Sequence, residues 1–97
     1  MNPALPKIGW HYIYLLSTKA KDWIYIGCTN NLRKRLIEHK EGKVYSTRKV
    51  LPVELIYAEA YKSKHIAFER EKSLKKFGSG LTKLKLRLGI AKKGRAG

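Results

Sequence analysis

Two runs of aromatic and β-branched residues, separated by a short polar turn, constrain the fold more than any other feature of this chain. Residues 11–17 and 23–28 have the composition of β-strands, and the turn over residues 19–22 lets them pair as an antiparallel hairpin. Gly27 lies at the end of the second strand and favours a close approach to the backbone. A third strand is predicted over residues 53–61, directly after a proline.

The segments after the hairpin and after the third strand predict helices. Thr29 or Asn30 can cap a helix that continues to about residue 41, and Ser63 can cap a second helix that continues to about residue 77. The leucines of residues 79–88 fit both a helical and an alternating pattern, so a short helix and a strand both remain open there. The expected fold class is α+β, with a three-stranded antiparallel sheet flanked by helices.

The length of the chain, 97 residues, predicts a single small domain. We place this domain at residues 10–88, after an irregular lead-in at residues 1–9 and before a flexible basic tail at residues 89–97. A tail of this composition can contact phosphate groups or merely aid solubility, and the sequence leaves both interpretations open.

The charge of the chain predicts a polyanionic partner. There are 22 Lys and Arg residues against 7 Asp and Glu residues, a formal net charge of +15, and no acidic residue follows Glu71. Nucleic acid, DNA or RNA, is the expected partner, and an acidic membrane surface is the other class that fits. No apolar run is long enough to span a membrane. The one cysteine, Cys28, excludes an internal disulfide and a multi-cysteine zinc site, and we expect an intracellular, cytoplasmic protein.

The first predicted helix combines an apolar face with basic residues. At about 100° per residue, Leu32, Leu36 and His39 share one face, and Arg35 lies at the edge of that face. A guanidinium presents a fixed set of donors to a phosphate, so Arg35 is a candidate phosphate ligand. A plain surface arginine is the alternative in a chain with so many basic residues.

The second predicted helix carries a carboxylate on its apolar side. Its apolar arc is formed by Ile66, Ala67, Phe68, Leu74 and Phe77. Glu71 falls inside this arc, whereas Glu69 lies on the solvated side. A carboxylate in such a place needs a cation or hydrogen-bond donors. A divalent ion such as Mg²⁺ or Mn²⁺ would satisfy it, but the residues alone favour an ion pair with Arg70, Lys75 or a loop arginine.

The order of these motifs resembles the GIY-YIG endonuclease superfamily, and in particular its small members that are little more than the nuclease domain. Four segments within residues 10–88 carry the resemblance: Tyr12-Ile13-Tyr14, Tyr25-Ile26-Gly27, the helical run TNNLRKRLIEH from Thr29 to His39, and Arg70-Glu71-Lys72. The resemblance implies a nuclease-like fold. It also implies a metal-dependent enzyme that hydrolyses phosphodiester bonds in DNA, for example in repair or recombination.

The resemblance also implies roles for single residues. Tyr14 and Tyr25 stand where superfamily members have the tyrosines of a proton relay from the attacking water. Arg35 stands where an arginine stabilises charge on the scissile phosphate, and Glu71 where a carboxylate binds a single Mg²⁺ or Mn²⁺ ion. His39, one helical turn after Arg35, can hydrogen-bond a tyrosine or a phosphate or assist proton transfer. A histidine satisfied at the edge of the core is an equally good interpretation.

Further contacts with nucleic acid are expected around this site. They are Lys34 and Lys72 on the two helices and Ser46, Thr47 and Arg48 in the loop after the first helix. For the loop, a solvated segment without such contacts is the alternative, and the sequence does not decide between the two.

Two features depart from the superfamily pattern. Tyr12 stands where the first motif has its glycine, and no asparagine follows Asn31, whereas many members place one late in the active site. The alternative function is therefore a non-catalytic nucleic-acid-binding module that keeps the nuclease fold. The chain shows no attached DNA-binding module, so we expect target choice to depend on its basic surface or on a partner protein.

Overall fold

The computed structural model of the protein describes residues 9–76, 79–90 and 94–95. In chain order the elements are β1 (His11–Thr18), β2 (Trp23–Thr29), α1 (Leu32–Lys40), β3 (Val53–Tyr61), α2 (Lys64–Lys75), α3 (Ser79–Leu88) and β4 (Gly94–Arg95). Three parts of the predictions lie outside the described residues: residues 1–8 of the lead-in, residues 91–93 and 96–97 of the basic tail, and Phe77 at the end of the second helix.

The three predicted strands form an antiparallel sheet with β1 in the middle. Tyr14 of β1 is opposite Gly27 of β2 on one side and opposite Ala58 of β3 on the other. The pairing with β3 shifts in register between Leu15 and Leu16. The expected α+β fold with its three-stranded antiparallel sheet and flanking helices is confirmed. The two residues of β4 add a short parallel strand beside β2, which the sequence did not predict.

Alternation along the strands gives the sheet two different faces. The α2 face, on which α2 and α3 pack, has a core of Ile13, Leu15, Ile24, Ile26, Tyr57, Ala67, Leu74, Leu81 and Leu84. The α1 face, on which α1 packs, has a core of Tyr12, Tyr14, Leu16, Leu32 and Ala58, with Tyr25 and Leu36 packed against it. Burial of these apolar surfaces from water is the main contribution to the stability of the fold.

The starts of α1 and α2 show which capping residues act. Asn31 caps α1, and its side-chain oxygen accepts a hydrogen bond from the N–H of Lys34 at 3.1 Å, so the predicted caps Thr29 and Asn30 are wrong. The Thr29 hydroxyl instead accepts a hydrogen bond from the N–H of Asn31 at 3.0 Å and shapes the turn before the helix. Ser63 caps α2 as predicted, through a bond to the first turn of that helix.

Helix α2 buries a narrower stripe than its sequence predicts. Ala67 and Leu74 are fully buried against the α2 face, whereas Ile66 and Phe68 are about half exposed. The apolar arc is therefore correct only along its centre. An angular position on a helix says where a side chain points, and it does not say whether another element packs there.

Helix α3 decides the question left open for residues 79–88. Leu81 and Leu84 are buried in the core of the α2 face, at a spacing that suits a helix. No helix within the described ranges is long and apolar enough to cross a membrane.

Candidate active site

Tyr14 lies at the centre of the α1 face and is held by two close neighbours. Its side chain is fully buried, and its hydroxyl forms a hydrogen bond with Nε2 of His39 at 2.8 Å. On the adjacent strand, a Cβ atom added to Gly27 would overlap Cζ and Oη of Tyr14. The missing side chain at Gly27 therefore lets the tyrosine lie across β2 and reach the histidine on α1.

His39 continues this buried series of polar groups. Its ring is fully buried, with Nε2 bonded to Tyr14 and Nδ1 bonded to Oγ1 of Thr47 at 2.8 Å. Burial, and after it the positive charge of Arg35, lowers the pKa of His39 to about 4. The imidazole is therefore neutral at neutral pH, with one donor and one acceptor nitrogen, and the two hydroxyls can complement either tautomer.

Thr47 lies on the inner side of the loop between α1 and β3. It is fully buried, and its hydroxyl is engaged with His39. The expected phosphate contact by Thr47 is corrected accordingly, because a side chain without exposed surface cannot touch a ligand outside the fold. Its role in the structure is to hold the histidine ring.

Tyr25 brings a second phenol to the same place in a more open position. Its side chain is only partly buried. The ring centroid lies 6.2 Å from that of Tyr14 and 5.1 Å from that of His39, edge-on to the imidazole. Tilted and edge-on contacts of this kind are favourable between aromatic rings. The structure thus places both candidate tyrosines and the candidate histidine in one cluster, with Tyr25 as its accessible member.

The surroundings of Tyr14 disfavour its ionised form. Burial, followed by the influence of Tyr25, raises the pKa of Tyr14 well above the ordinary value of a phenol. Arg35 acts in the opposite direction by its hydrogen bonding and its charge, but it does not outweigh burial. Tyr14 is therefore a neutral hydroxyl at any physiological pH.

Arg35 lies beside this cluster at the wall of a cleft of about 360 Å³. The cleft is lined by Cys28, Thr29, Asn30, Asn31, Lys34, Arg35 and Glu38. Nη1 of Arg35 donates a hydrogen bond to Oε1 of Glu38 at 3.0 Å. This bond is the main reason that the pKa of Arg35 is raised and the pKa of Glu38 is lowered. Sequence reasoning missed Glu38, although its spacing of three residues on a helix was an available signal.

Glu71 lies on α2, on the opposite side of the sheet from α1, and is not among the residues that line the Arg35 cleft. Its side chain is 20% exposed, and its Oε2 is 3.1 Å from Nζ of Lys75. This is one of the ion pairs that the sequence offered as an alternative to a metal ion. Burial, and after it the charge of Glu71, raises the pKa of the Cys28 thiol. The carboxylate therefore acts on a residue that also lines the Arg35 cleft.

Arg70, another partner considered for Glu71, is engaged elsewhere. Its Nε donates to Oε1 of Glu59 on β3 at 2.9 Å, and the hydroxyl of Tyr61 donates to the other carboxylate oxygen at 3.0 Å. Burial, followed by the carboxylate, raises the pKa of Tyr61 to about 12. Sequence reasoning missed this cluster, because its members come from two elements whose pairing is not visible in any local pattern.

The remaining residues expected to contact nucleic acid lie at the surface. Lys34 is exposed and lines the cleft beside the arginine. Ser46 and Arg48 are exposed on the outer side of the loop. Lys72 is exposed on α2, where its Nζ lies 3.6 Å from a carboxylate oxygen of Glu69. These four side chains have the exposure that a phosphate contact requires.

Comparison with known proteins decides the family. The family model of the GIY-YIG catalytic domain matches residues 10–83. The chain belongs to the GIY-YIG family. UPF0213 protein YazA of Bacillus subtilis is 40% identical over 84 residues, which cover 86% of this chain and 80% of YazA. A UPF0213 protein of Bacillus licheniformis is 45% identical over 67 residues, or 68% of each chain.

A solved structure agrees with this GIY-YIG assignment. The solution NMR structure of a UPF0213 protein from Bacillus halodurans matches with a TM-score of 0.51 at 29% sequence identity. The match covers 81% of this chain and 84% of that one. The similarity therefore extends over most of both chains.

Tyr12 stands where the first GIY-YIG motif has its glycine, and the structure gives it a place in the core. It is buried on the α1 face together with Tyr14. In the sheet it is opposite Thr29 of β2 and Ala60 of β3. The departure from the motif therefore enlarges the packed surface under α1.

Divalent metals are typical of GIY-YIG nucleases, so the donors present here have to be tested against such an ion. Within the described residues, no group of three or more His, Cys, Asp and Glu side chains is arranged to hold a metal. Mg²⁺, however, is often held by one or two carboxylates, with waters and substrate phosphates completing its shell. The single, partly exposed carboxylate of Glu71 fits this mode once Lys75 moves away from it.

Proposed function

We propose that this protein is an endonuclease that hydrolyses phosphodiester bonds in DNA with one divalent metal ion, Mg²⁺ or Mn²⁺. The observation that carries the proposal is the arrangement beside the cleft, where Arg35 stands next to the bonded pair Tyr14–His39 and the partly exposed ring of Tyr25. Membership of the GIY-YIG family supports this reaction class. The net charge of +15 supports a polyanionic substrate.

Arg35 is the proposed ligand of the scissile phosphate. Its guanidinium matches the geometry of phosphate oxygens and stays charged at every relevant pH. A phosphate that enters the cleft has to replace Glu38, which now accepts the hydrogen bond from Nη1. After this exchange the guanidinium is in place to stabilise the negative charge that develops in the transition state.

Tyr25 is the phenol proposed to contact the attacking water and to relay its proton. It is the partly exposed tyrosine of the cluster, whereas Tyr14 is fully buried and has a raised pKa. Tyr14 instead fixes His39, and Thr47 fixes the opposite side of the same ring. These two buried residues thus position the imidazole ring against which Tyr25 packs.

Glu71 is the proposed ligand of the metal ion. When bound, the ion supplies Lewis acidity toward the phosphate and toward the leaving oxygen. The carboxylate of Glu71 offers the hard oxygen donors that Mg²⁺ and Mn²⁺ prefer. Its ion pair with Lys75 compensates a partly buried negative charge as long as no ion is bound.

Cleavage assays on matched variants test the proposal. Single-stranded, duplex and branched DNA are incubated with the protein in Mg²⁺, in Mn²⁺ or in EDTA. Arg35→Ala is expected to lower turnover about a hundredfold or more and to weaken DNA binding. Glu71→Ala is expected to abolish metal-dependent cleavage, with DNA affinity in EDTA equal or slightly higher because a negative charge is removed. Glu69→Ala, on the exposed side of the same helix, is the control and should cleave like the parent.

A non-catalytic DNA-binding module is the second candidate, and two contacts favour it. Arg35 is paired with Glu38, and Glu71 is paired with Lys75, so each group already has an internal partner. If the parent binds DNA but cuts none of the three substrates with either metal, the binding module replaces the nuclease. If Glu71→Ala cuts like the parent, the assignment of the metal ligand is wrong.

A further inference from the structure

The loop between α1 and β3, residues 41–52, has an ordered inner side. Val44, Thr47 and Val50 are buried. The N–H of Thr47 donates to the carbonyl of Val44 at 3.2 Å, and the carbonyl of Val50 accepts a hydrogen bond from the hydroxyl of Thr18 on β1. Together with the bond from Thr47 to the histidine of the site, these contacts hold the loop in a defined conformation.

The outer side of the same loop presents an aromatic ring to solvent. Tyr45 is 72% exposed, more than any other large apolar side chain among the described residues. The guanidinium carbon of Arg48 lies 4.8 Å from the centroid of the ring, so one face carries a cation. The exposed fraction leaves the rest of the ring in water, where it gains nothing from burial. A ligand that covers this ring would remove its apolar surface from water, and this burial would favour binding.

Basic residues flank Tyr45 in the chain. Lys43, Arg48 and Lys49 are exposed next to it in the chain, and the nearby acidic side chain of Glu41 is paired with Lys43 at 3.1 Å. A second cleft of about 340 Å³ runs along α1 and ends at Lys43. It shares three lining residues with the Arg35 cleft: Asn31, Lys34 and Glu38. The two clefts therefore adjoin on α1, and Lys43, which lines the second cleft, lies two residues before Tyr45 in the chain.

We propose that Tyr45 and Arg48 form a stacking subsite for an unpaired nucleobase of the DNA strand whose phosphate occupies the Arg35 cleft. The inference rests on the proposed function in taking DNA as the ligand. Aromatic rings and guanidinium planes bind the faces of bases, while neighbouring basic groups follow the phosphates. A base inside a duplex is already stacked on its neighbours. The subsite therefore selects DNA that is single-stranded or locally unpaired beside the cleavage point.

Thr47 fixes the position of this subsite relative to the candidate active site. It lies between Tyr45 and Arg48 in the chain, and its hydroxyl is bonded to His39. The loop that presents the ring is thus attached to the residue that also holds Tyr14. A base on Tyr45 and a phosphate on Arg35 would be bound by a loop and a helix that the hydrogen bond between Thr47 and His39 connects.

Two DNA strands of equal charge, one with bases and one without, distinguish affinity due to base stacking from affinity due to electrostatic attraction. Fluorescence anisotropy in EDTA, where no metal-dependent cleavage occurs, gives the affinity for a single-stranded oligonucleotide and for an all-abasic strand of the same length. The parent is expected to bind the strand with bases roughly tenfold more tightly, as stacking of one or two bases provides. Tyr45→Ala should lose most of this ratio and Tyr45→Trp should keep it. Leu86→Ala, which changes a side chain of 63% exposure on α3, is the matched control and should also keep it.

The outcomes divide clearly. If Tyr45→Ala keeps the ratio of the parent, the subsite is rejected. This holds even if Tyr45→Ala binds both strands more weakly, because an equal loss on the two strands leaves the ratio unchanged and is independent of the bases. A parent that shows the ratio but cuts no DNA with either metal supports the subsite and rejects the nuclease. A parent that binds neither strand overturns both proposals.

Discussion

The two faces of the sheet are built from alternate residues of the same strands, yet they bury different chemistry. The α2 face packs aliphatic side chains such as Ile13 and Leu15 against two helices. The α1 face places Tyr14 against His39, and the loop adds Thr47, so hydroxyl and imidazole groups are buried with it. The stability of the α2 face depends on close packing of apolar side chains, and the stability of the α1 face depends also on hydrogen bonds between buried polar groups.

The difference follows from how each kind of group is stabilised. Burial of apolar side chains stabilises the fold in any arrangement that fills the space between elements. A buried polar atom that loses its partner costs about 1–3 kcal/mol, so it accepts few arrangements. No buried side-chain nitrogen or oxygen within the described residues lacks a partner. The α1 face can therefore hold a group in one orientation, while the α2 face supplies much of the stability that a small domain needs.

The largest effect is expected on the α2 face. Leu15→Ala removes a fully buried side chain and should lower the free energy of unfolding by about 2–5 kcal/mol, because a cavity remains. Urea unfolding measures the loss. Ile13→Val, expected to cost about 0.5–1.5 kcal/mol, keeps the test valid if the first variant does not fold. Losses well below these ranges would show that this face is not the main source of stability.

The next effect concerns pH and belongs to the α1 face. The pKa of His39 is about 4 in the folded protein against an ordinary value of 6.5, so the unfolded chain takes up the proton first as pH falls. The stability contributed by the neutral ring is complete above pH 6.5. It is lost as pH falls toward 4, by roughly 3 kcal/mol in total, at about 1.4 kcal/mol per unit.

Urea unfolding at pH 7.5 and at pH 4.5 measures this loss in the parent and in His39→Gln. Arg35 opposes protonation of the ring and Glu38 favours it, so both charges are kept in the two proteins. The variant should lose less stability than the parent over this range. Equal losses would assign the pH dependence to the carboxylates of the chain instead.

A smaller effect is expected from single hydroxyl groups of the α1 face. Tyr14→Phe keeps the ring but removes the bond to Nε2 of His39, and Thr47→Val keeps the shape but removes the bond to Nδ1. Each should lower the free energy of unfolding by about 1–3 kcal/mol. Because both bonds end on one ring, the double variant should differ from the sum of the single ones. Strict additivity would mean that the two bonds are independent.

The smallest effect on stability is expected at the edge of the cleft. Glu38→Gln removes the ionic partner of Arg35 at the surface and should leave the unfolding midpoint nearly unchanged. The same change should strengthen DNA binding by a few-fold, since the guanidinium no longer has a competing carboxylate. Glu41→Gln removes an equal charge from the next turn and is the control. If DNA affinity rises equally in both variants, the effect of Glu38→Gln is due to the change in net charge and not to the release of Arg35.

The difference between the faces was partly visible in the sequence. Strand alternation placed Tyr14 with Tyr12 on one side of β1, and helical spacing placed His39 and Arg35 on adjacent parts of α1. Both patterns depend on the fixed geometry of a single element, which is why they were readable. The α+β architecture follows from the same periodicities.

Contacts between distant elements were not readable in this way. The bond between Thr47 and His39 depends on how an irregular loop closes, and no period of a helix or strand describes that path. The cap of α1 was misplaced because Thr29, Asn30 and Asn31 are all good capping residues, and only the backbone shows which of them is at the helix start. The ion pair of Glu71 was foreseen as a class, but its partner was one of several cations within reach.

Gly27 has a consequence for the order in which this site can change. An alanine at position 27 collides with the ring of Tyr14, and a small residue at position 14 removes that collision while it opens a void. Each substitution is harmful alone, and each makes the other less so. Positions 14 and 27 are therefore coupled, and a side chain at position 27 is accommodated only where position 14 has a residue smaller than tyrosine.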